Sequence, residues 1–252
     1  MLFINKIKPI VEKAGKLALS RFRSEVGLTV KPDGSIATEV DIACEKLLKE
    51  ELAALIPGSG FFTEESEEQE GNEYRWIIDP IDGTKNFACG IPYFCVAIAL
   101  EHQGEVIAAV THAPAFKEWF CAEKGHGMYW NDKKIVLEGD YWKKRTALII
   151  ARHSKFSRSQ SRKKLKEVGL SCSYRYYGAA ALDLGYIAVG SIDALISESI
   201  YWWDVAGGLL MVKEAGGCVV DLDGEDLKKG TQNVYAGKKE LYDLLFDKKN
   251  SF

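Results

Sequence analysis

Apolar positions recur at helical spacing from the first residues of the chain. Ile4, Ile7, Val11, Ala14, Leu17 and Ala18 share one face of the segment 2–24, with basic residues interleaved. This spacing predicts an amphipathic helix. Lys31-Pro32-Asp33-Gly34 predicts a turn. A second helical stripe, Ala43, Leu47, Leu48, Leu52 and Leu55, begins near Thr38 and stops at Pro57-Gly58. Residues 74–79, Tyr-Arg-Trp-Ile-Ile-Asp, predict a strand broken by Pro80. Strands then follow over 93–102, 105–113, 117–123 and 146–151, with Gln103-Gly104 as a hairpin turn. A basic helix is expected near 158–168. After it come strand 172–176, helix 179–189, strand 192–196, helix 203–215, strands 217–221 and 232–236, and helix 238–246. Helices, then a run of strands, then alternation predict an α/β protein of layered α+β type. Two packed halves are expected, 1–145 and 146–252, divided at the polar, unpatterned stretch Asp140-Tyr141-Trp142-Lys143-Lys144-Arg145.

Composition narrows the class. With 252 residues, 47% hydrophobic and 27% charged, the chain can bury a sizeable core. No apolar run reaches the roughly 18 residues of a membrane helix. The start of the chain lacks a secretory h-region, so the expected compartment is the cytoplasm. The 33 Lys and Arg against 36 Asp and Glu leave a net charge of −3, which disfavours nucleic acid as the main substrate. The six cysteines contain no C-x-x-C pair, and most sit in apolar runs, as expected of reduced core thiols. His102, His112, His126 and His153 lack the spacing of a zinc site.

No G-x-S-x-G elbow, Walker loop or G-x-G-x-x-G fingerprint occurs. What stands out is the placement of carboxylates. Asp79-Pro80-Ile81-Asp82-Gly83-Thr84 sets two aspartates three apart at the end of an apolar strand. Their repulsion is relieved by a cation between them, and hard oxygen ligands suit Mg²⁺ or Mn²⁺. Gly83 and Thr84 offer backbone N–H groups for an anion beside it. A solvated Asp-Pro turn explains the same spacing equally well. Glu64 leaves the apolar Phe61-Phe62 and can point inward, whereas Glu67, Glu68 and Glu70 read as a solvated loop. Asp204 precedes Val205-Ala206-Gly207-Gly208 and a helical run. An N-cap is its plainest role, and the small residues after it let that helix pack closely.

Residues 74–87, Tyr-Arg-Trp-Ile-Ile-Asp-Pro-Ile-Asp-Gly-Thr-Lys-Asn-Phe, resemble the first signature of the inositol monophosphatase family. Trp203-Asp204-Val205-Ala206-Gly207-Gly208 with Glu214-Ala215-Gly216-Gly217 resembles its second. Thr38-Glu39-Val40-Asp41 and Glu64-Glu65-Ser66 fall in matching order, so the resemblance runs from about residue 5 to 245. It implies a sandwich of alternating helix and sheet layers and a Mg²⁺-dependent, commonly Li⁺-inhibited phosphatase. Two to three Mg²⁺ per site are implied, with Mn²⁺ as a substitute. Glu64, Asp79 and the Ile81 carbonyl would hold the first ion, Asp79, Asp82 and Asp204 the second, and Glu64 with water near Asp41 a weaker third. The metals would activate a water for in-line attack on phosphorus. Thr84, hydrogen-bonded to Asp41, would orient or deprotonate it, with Glu64 in the catalytic set.

For the substrate, a small phosphorylated polyol or sugar, the resemblance implies contacts from Asp82, from the N–H groups of Gly83 and Thr84, from Gly178 and Ala180 in the segment 178–183, and from Glu198 and Asp204. Glu198 stands one residue closer to Asp204 than the family's spacing. Lys85 resembles histidinol-phosphate and phosphoadenosine-phosphate relatives, and Asp183 resembles members that hydrolyse fructose 1,6-bisphosphate. Arg152, Arg175 and Lys85 are candidates for a second phosphate. The family also implies a homodimer, for which the aromatics over 93–130 are a candidate patch. A competing expectation is a binding partner of RNA or transcription machinery, acting through the seven Lys and Arg between Arg152 and Lys166.

Overall fold

The computed structural model describes residues 2–32, 34–137, 146–152 and 158–246. The expected boundary near 145 and part of the basic stretch, residues 153–157, lie outside them. Helix α1 (Ile4–Arg21) buries Ile4, Ile7, Val11, Ala14 and Ala18, the stripe that the periodicity predicts. Strands β1 (Leu28–Val30) and β2 (Ile36–Thr38) form an antiparallel hairpin about the Lys31–Gly34 turn. Helix α2 (Glu39–Leu55) starts where Thr38 caps it. The Thr38 hydroxyl accepts from the Val40 and Asp41 N–H groups, and the Asp41 carboxylate reaches back to the Thr38 N–H at 2.8 Å. This reciprocal box buries an acid in the first turn of α2.

The larger sheet is built from β3 (Gly60–Thr63), β4 (Tyr74–Asp82), β5 (Cys95–His102), β6 (Glu105–Ala113), β7 (Glu118–Glu123), β8 (Gly127–Trp130) and β9 (Lys133–Ile135), in that order across the sheet. The β3–β4 pair is parallel and the rest are antiparallel. A five-residue helix, α3 (Thr84–Ala88), follows β4. The smaller sheet uses β10 (Ala147–Arg152), β11 (Cys172–Arg175), β12 (Ala194–Ser197), β13 (Cys218–Val220) and β14 (Val234–Gly237), ordered β11-β10-β12-β14-β13. Its helices are α4 (Arg158–Glu167), α5 (Ala180–Ala188), α6 (Trp202–Glu214) and α7 (Lys239–Phe246).

Three apolar clusters define the layers. Helices α1 and α2 cover one face of the larger sheet through Ile7, Val11, Leu48, Trp76, Ile78 and Val96. Helices α5 and α6 lie between the two sheets and share one core with both, through Ile77, Ala97, Ile150, Leu184, Leu195 and Val205. Leu165, Leu241 and Leu245 of α4 and α7 close the far face of the smaller sheet. All seven strands of the larger sheet precede residue 146 and all five of the smaller follow it. The glycines of α6 permit its central place. A Cβ on Gly208 would stand 2.4 Å from Leu184 Cβ on α5, and one on Gly207 would stand 3.2 Å from Ala109 Cβ on β6.

Candidate active site

Pro80 does not end β4, contrary to the sequence-based expectation. The strand runs on to Asp82, and the irregularity is absorbed as a bulge. Asp79 faces Ala97 and Asp82 faces Cys95, so three steps on β4 match two on β5. Residues three apart in a regular strand point to opposite faces. The extra residue reverses that alternation, and both aspartates lie on the side of Ala97 and Cys95. That is the side packed on α5 and α6.

Asp82 meets the start of α5. Its two oxygens accept from the N–H groups of Ala180 (3.1 Å), Ala181 (2.7 Å) and Leu182 (3.4 Å), donors that no helical carbonyl can satisfy. Asp204 lies in the first turn of α6 rather than capping it, the N-cap being Tyr201. Glu64 is the first residue beyond β3. Its N–H pairs with the Ile78 carbonyl at 3.3 Å, and its carboxylate receives Lys31 Nζ at 3.2 Å. Lys31 also bonds Glu65 at 2.7 Å. Sequence reasoning missed Lys31 because it sits in a turn, where a lysine reads as solvated.

Thr84 opens α3, with Gly83 as its N-cap at φ +90°. That left-handed backbone favours glycine, and a Cβ there would also stand 3.0 Å from the Tyr93 carbonyl oxygen. The Thr84 hydroxyl lies 2.9 Å from Asp41 Oδ1 and 2.9 Å from the Ile81 carbonyl. It has one proton to give, and a carboxylate is the stronger acceptor. Asp41 is fully buried and is held on its other side by the Thr38 hydroxyl. Burial raises its carboxyl above the usual range, against the opposing effect of the Thr38 and Thr84 hydrogen bonds.

The electrostatics are those of concentrated negative charge. Burial pushes Asp79 well above the usual carboxylate range, and Glu64, Asp82, Asp204 and Asp41 push it further. Burial pushes Glu64 up to about 7, against the pull of Lys31. Asp79 Oδ1 is buried with no hydrogen-bond partner, which an acceptor tolerates poorly unless something absent from the protein engages it. These oxygens suit a hard cation such as Mg²⁺ or Mn²⁺. Among the described residues, no three His, Cys, Asp or Glu side chains are already gathered into a metal cage. Lys31 pairs with Glu64, and the N–H groups at the start of α5 engage Asp82. A cleft of about 330 Å³ beside α6, lined by Val106, Trp202, Leu209 and Lys213, takes in none of these carboxylates.

The segment 178–183 abuts the same place. Gly178 adopts φ +85°, next to a turn pinned by Asn86, whose amide donates to the Tyr93 and Tyr177 carbonyls at 2.8 and 2.7 Å. Ala180 is buried, with its N–H given to Asp82. Asp183 is 1% exposed and accepts from the Tyr93 hydroxyl at 2.7 Å, so it is placed to support this wall from inside. Glu198 follows β12 and is half-buried. Lys85 and Arg175 are exposed.

The model of the inositol monophosphatase family matches residues 4–250. An inositol-1-monophosphatase of Mesorhizobium japonicum is 36% identical over 94% of this chain and 92% of its own. The Nus factor SuhB of Xylella fastidiosa is 39% identical over 75% and 70%. A fructose-1,6-bisphosphatase/inositol-1-monophosphatase of Thermotoga maritima is 31% identical over 82% and 80%. The crystal structure of the extragenic suppressor protein suhB from Bartonella henselae has a TM-score of 0.87 and 32% identity, with 100% of both chains covered. Sequence and architecture agree along nearly the whole length: the chain belongs to the inositol monophosphatase family, and it is a phosphatase.

Proposed function

We propose that this phosphatase hydrolyses inositol monophosphate in a Mg²⁺-dependent reaction and accepts other sugar phosphates as well. The observation that carries the reading is the buried, unpartnered Asp79 oxygen amid Glu64, Asp82, Asp204 and Asp41. Glu64, Asp79 and the Ile81 carbonyl would hold one ion, and Asp79, Asp82 and Asp204 a second. Such ions, when bound, acidify water and offset charge on phosphate and the leaving oxygen. Thr84 gives its proton to Asp41, which leaves its oxygen lone pairs to hold and orient the attacking water. The N–H groups of Gly83 and Thr84 would bind phosphate oxygens. Relatives that bear both activity names support fructose 1,6-bisphosphate as a second substrate.

The test is phosphate release from inositol 1-phosphate, fructose 1,6-bisphosphate, histidinol phosphate and phosphoadenosine phosphate, with and without chelator. Release should be fastest on inositol 1-phosphate, vanish in excess chelator and return with Mg²⁺ or Mn²⁺. Turnover that survives the chelator would defeat the mechanism, and a preference for another ester would reassign the substrate.

A second role, as a partner of RNA or transcription machinery, is favoured by the name of the SuhB relative. In the described part of the basic stretch, Arg162, Lys163 and Lys166 are exposed on α4, while Lys164 bonds the Leu245 carbonyl at 2.7 Å. Asp79→Asn should leave any such binding intact while removing turnover.

Association is the third expectation. Phe94 and Phe120 are fully buried, whereas Phe116 is 41% exposed. Phe116 joins Tyr93, Tyr177 and Tyr186 around a surface cleft of about 270 Å³. An aromatic surface of this kind suits a dimer contact. Sedimentation at micromolar concentration should therefore give a dimer, and a single 28.1 kDa species would refute it.

A further inference from the structure

Glu45 is a carboxylate that the reaction described above does not use. It lies on the inner face of α2, one turn after Asp41, and is 5% exposed. A charge is placed there at a cost unless its oxygens are well satisfied. They are satisfied by the residues directly after Glu64. One oxygen accepts from the Glu65 N–H at 3.0 Å, and the other accepts from the Ser66 hydroxyl at 2.5 Å. Ser66 Oγ lies 3.0 Å from Thr63 Oγ1 and receives Lys49 Nζ at 3.0 Å. Its one proton goes to Glu45, so it accepts from both of these neighbours. Glu64 is therefore held on both sides in sequence. Its own N–H is tied to β4 through the Ile78 carbonyl, and the next N–H is tied to α2.

We infer that Glu45 and Ser66 are positioning residues that fix Glu64 at the spacing from Asp41 and Thr84 that cation binding needs. Helix α2 is the common reference. Asp41 and Glu45, four residues apart, lie on one face, with Asp41 locating Thr84 and Glu45 locating the backbone that carries Glu64. The identity of the residue matters because a carboxylate offers two oxygens to two divergent donors. A glutamine offers one, and its amide would face a donor. The inference rests on the proposed metal site, and the experiment separates the two.

Mn²⁺ binding is measured without substrate, by electron paramagnetic resonance of free Mn²⁺, for wild type, Glu45→Gln, Ser66→Ala, Glu64→Gln and the double variant Glu45→Gln/Glu64→Gln. Glu45→Gln should bind Mn²⁺ about 10-fold more weakly, the scale found when a group supporting a metal ligand is lost. Ser66→Ala, which keeps the charge of Glu45, should shift in the same direction. Both should retain kcat within about 2-fold at saturating Mn²⁺, because the ligands and Thr84 are unchanged. The double variant should bind no more weakly than Glu64→Gln alone, since coupled residues are not additive. An unchanged affinity in Ser66→Ala would mean that Glu45 acts only through its charge, and would overturn the inference. Additive losses in the double variant would overturn it too. If wild type binds no Mn²⁺, the metal-site reading fails and the inference with it; if wild type binds and Glu45→Gln binds equally well, only the inference fails.

Discussion

Asp79→Asn should lower kcat by at least ~100-fold, the scale on which removing one preorganised electrostatic contact is felt. Without metal, the same variant should be more stable than the wild type. Both effects follow from the position of Asp79, buried and facing Glu64, Asp82, Asp204 and Asp41. The sign of the pH dependence follows from the raised pKa. Folded, metal-free protein retains a proton on Asp79 that the unfolded chain has already lost. Stability therefore falls as pH rises from the ordinary carboxylate range through the raised folded value. Glu64, pushed up to about 7, adds a loss of the same sign between about pH 4.3 and 7. Asparagine carries no such charge, so the Tm advantage of the variant in chelator should widen from pH 5 to pH 8. Apparent Mg²⁺ affinity of the wild type should rise over pH 6 to 8, because binding expels these protons. Near-normal turnover of Asp79→Asn at saturating Mg²⁺ would contradict the assignment, as would a variant less stable than wild type at pH 8 in chelator.

Thr84→Ala should cost ~10²- to 10⁴-fold in kcat, the range for removing a positioned proton-transfer group. It should leave Mn²⁺ affinity nearly unchanged, because the Thr84 side chain is not in the proposed ligand set. The variant is expected to fold. Asp41 keeps the Thr38 N–H at 2.8 Å and the Thr38 hydroxyl, and the cap of α3 is the Gly83 backbone, which makes no side-chain hydrogen bond. Thr84→Ser retains the hydroxyl and should recover most of the rate. An alanine variant with wild-type turnover would remove Thr84 from the chemistry. A loss shared equally by the serine and alanine variants would assign the effect to packing of the methyl group.

Helices α1 and α2 were legible because burial of one face imposes its period on them. Strands β5 to β7 and helices α5 and α6, largely buried all round, carry runs of apolar residues instead. Strand β1 shows neither, since Leu28, Thr29 and Val30 are all exposed, and no alternation announces it. Strands β8 and β9 were missed because they are short, at four and three residues. Helix α3 was hidden behind Gly83, which reads as a simple turn. Of the site, the acids at the edges of apolar elements were visible: Glu64 after β3, Asp79 and Asp82 at the end of β4, and Asp204 at the start of α6. Glu45 was not visible. Its only signal is a second acid four residues after Asp41 on the buried side of α2, and such a pattern also describes a solvated helix face. The order of strands across both sheets stayed illegible, because pairing across long sequence separations leaves no local periodicity.

The bulge in β4 makes the arrangement of the two aspartates a matter of odd and even counting. Deleting either Pro80 or Ile81 would leave one residue between the two aspartates where β5 also has one, Val96, between their partners, and the ladder could close without irregularity. Such a shortened strand would put its two aspartates on one face only by alternation, two apart, with a side chain between them aimed at α1 and α2. The natural sequence spends an extra residue there, and the Ile81 carbonyl within the bulge stands 2.9 Å from the Thr84 hydroxyl. Insertions and deletions at this point are therefore of a different kind from those in surface loops. A change of one residue would disturb the backbone that sets the Ile81 carbonyl against Thr84 while leaving every acidic side chain in the sequence, so a motif search tolerant of gaps would still report the site as intact.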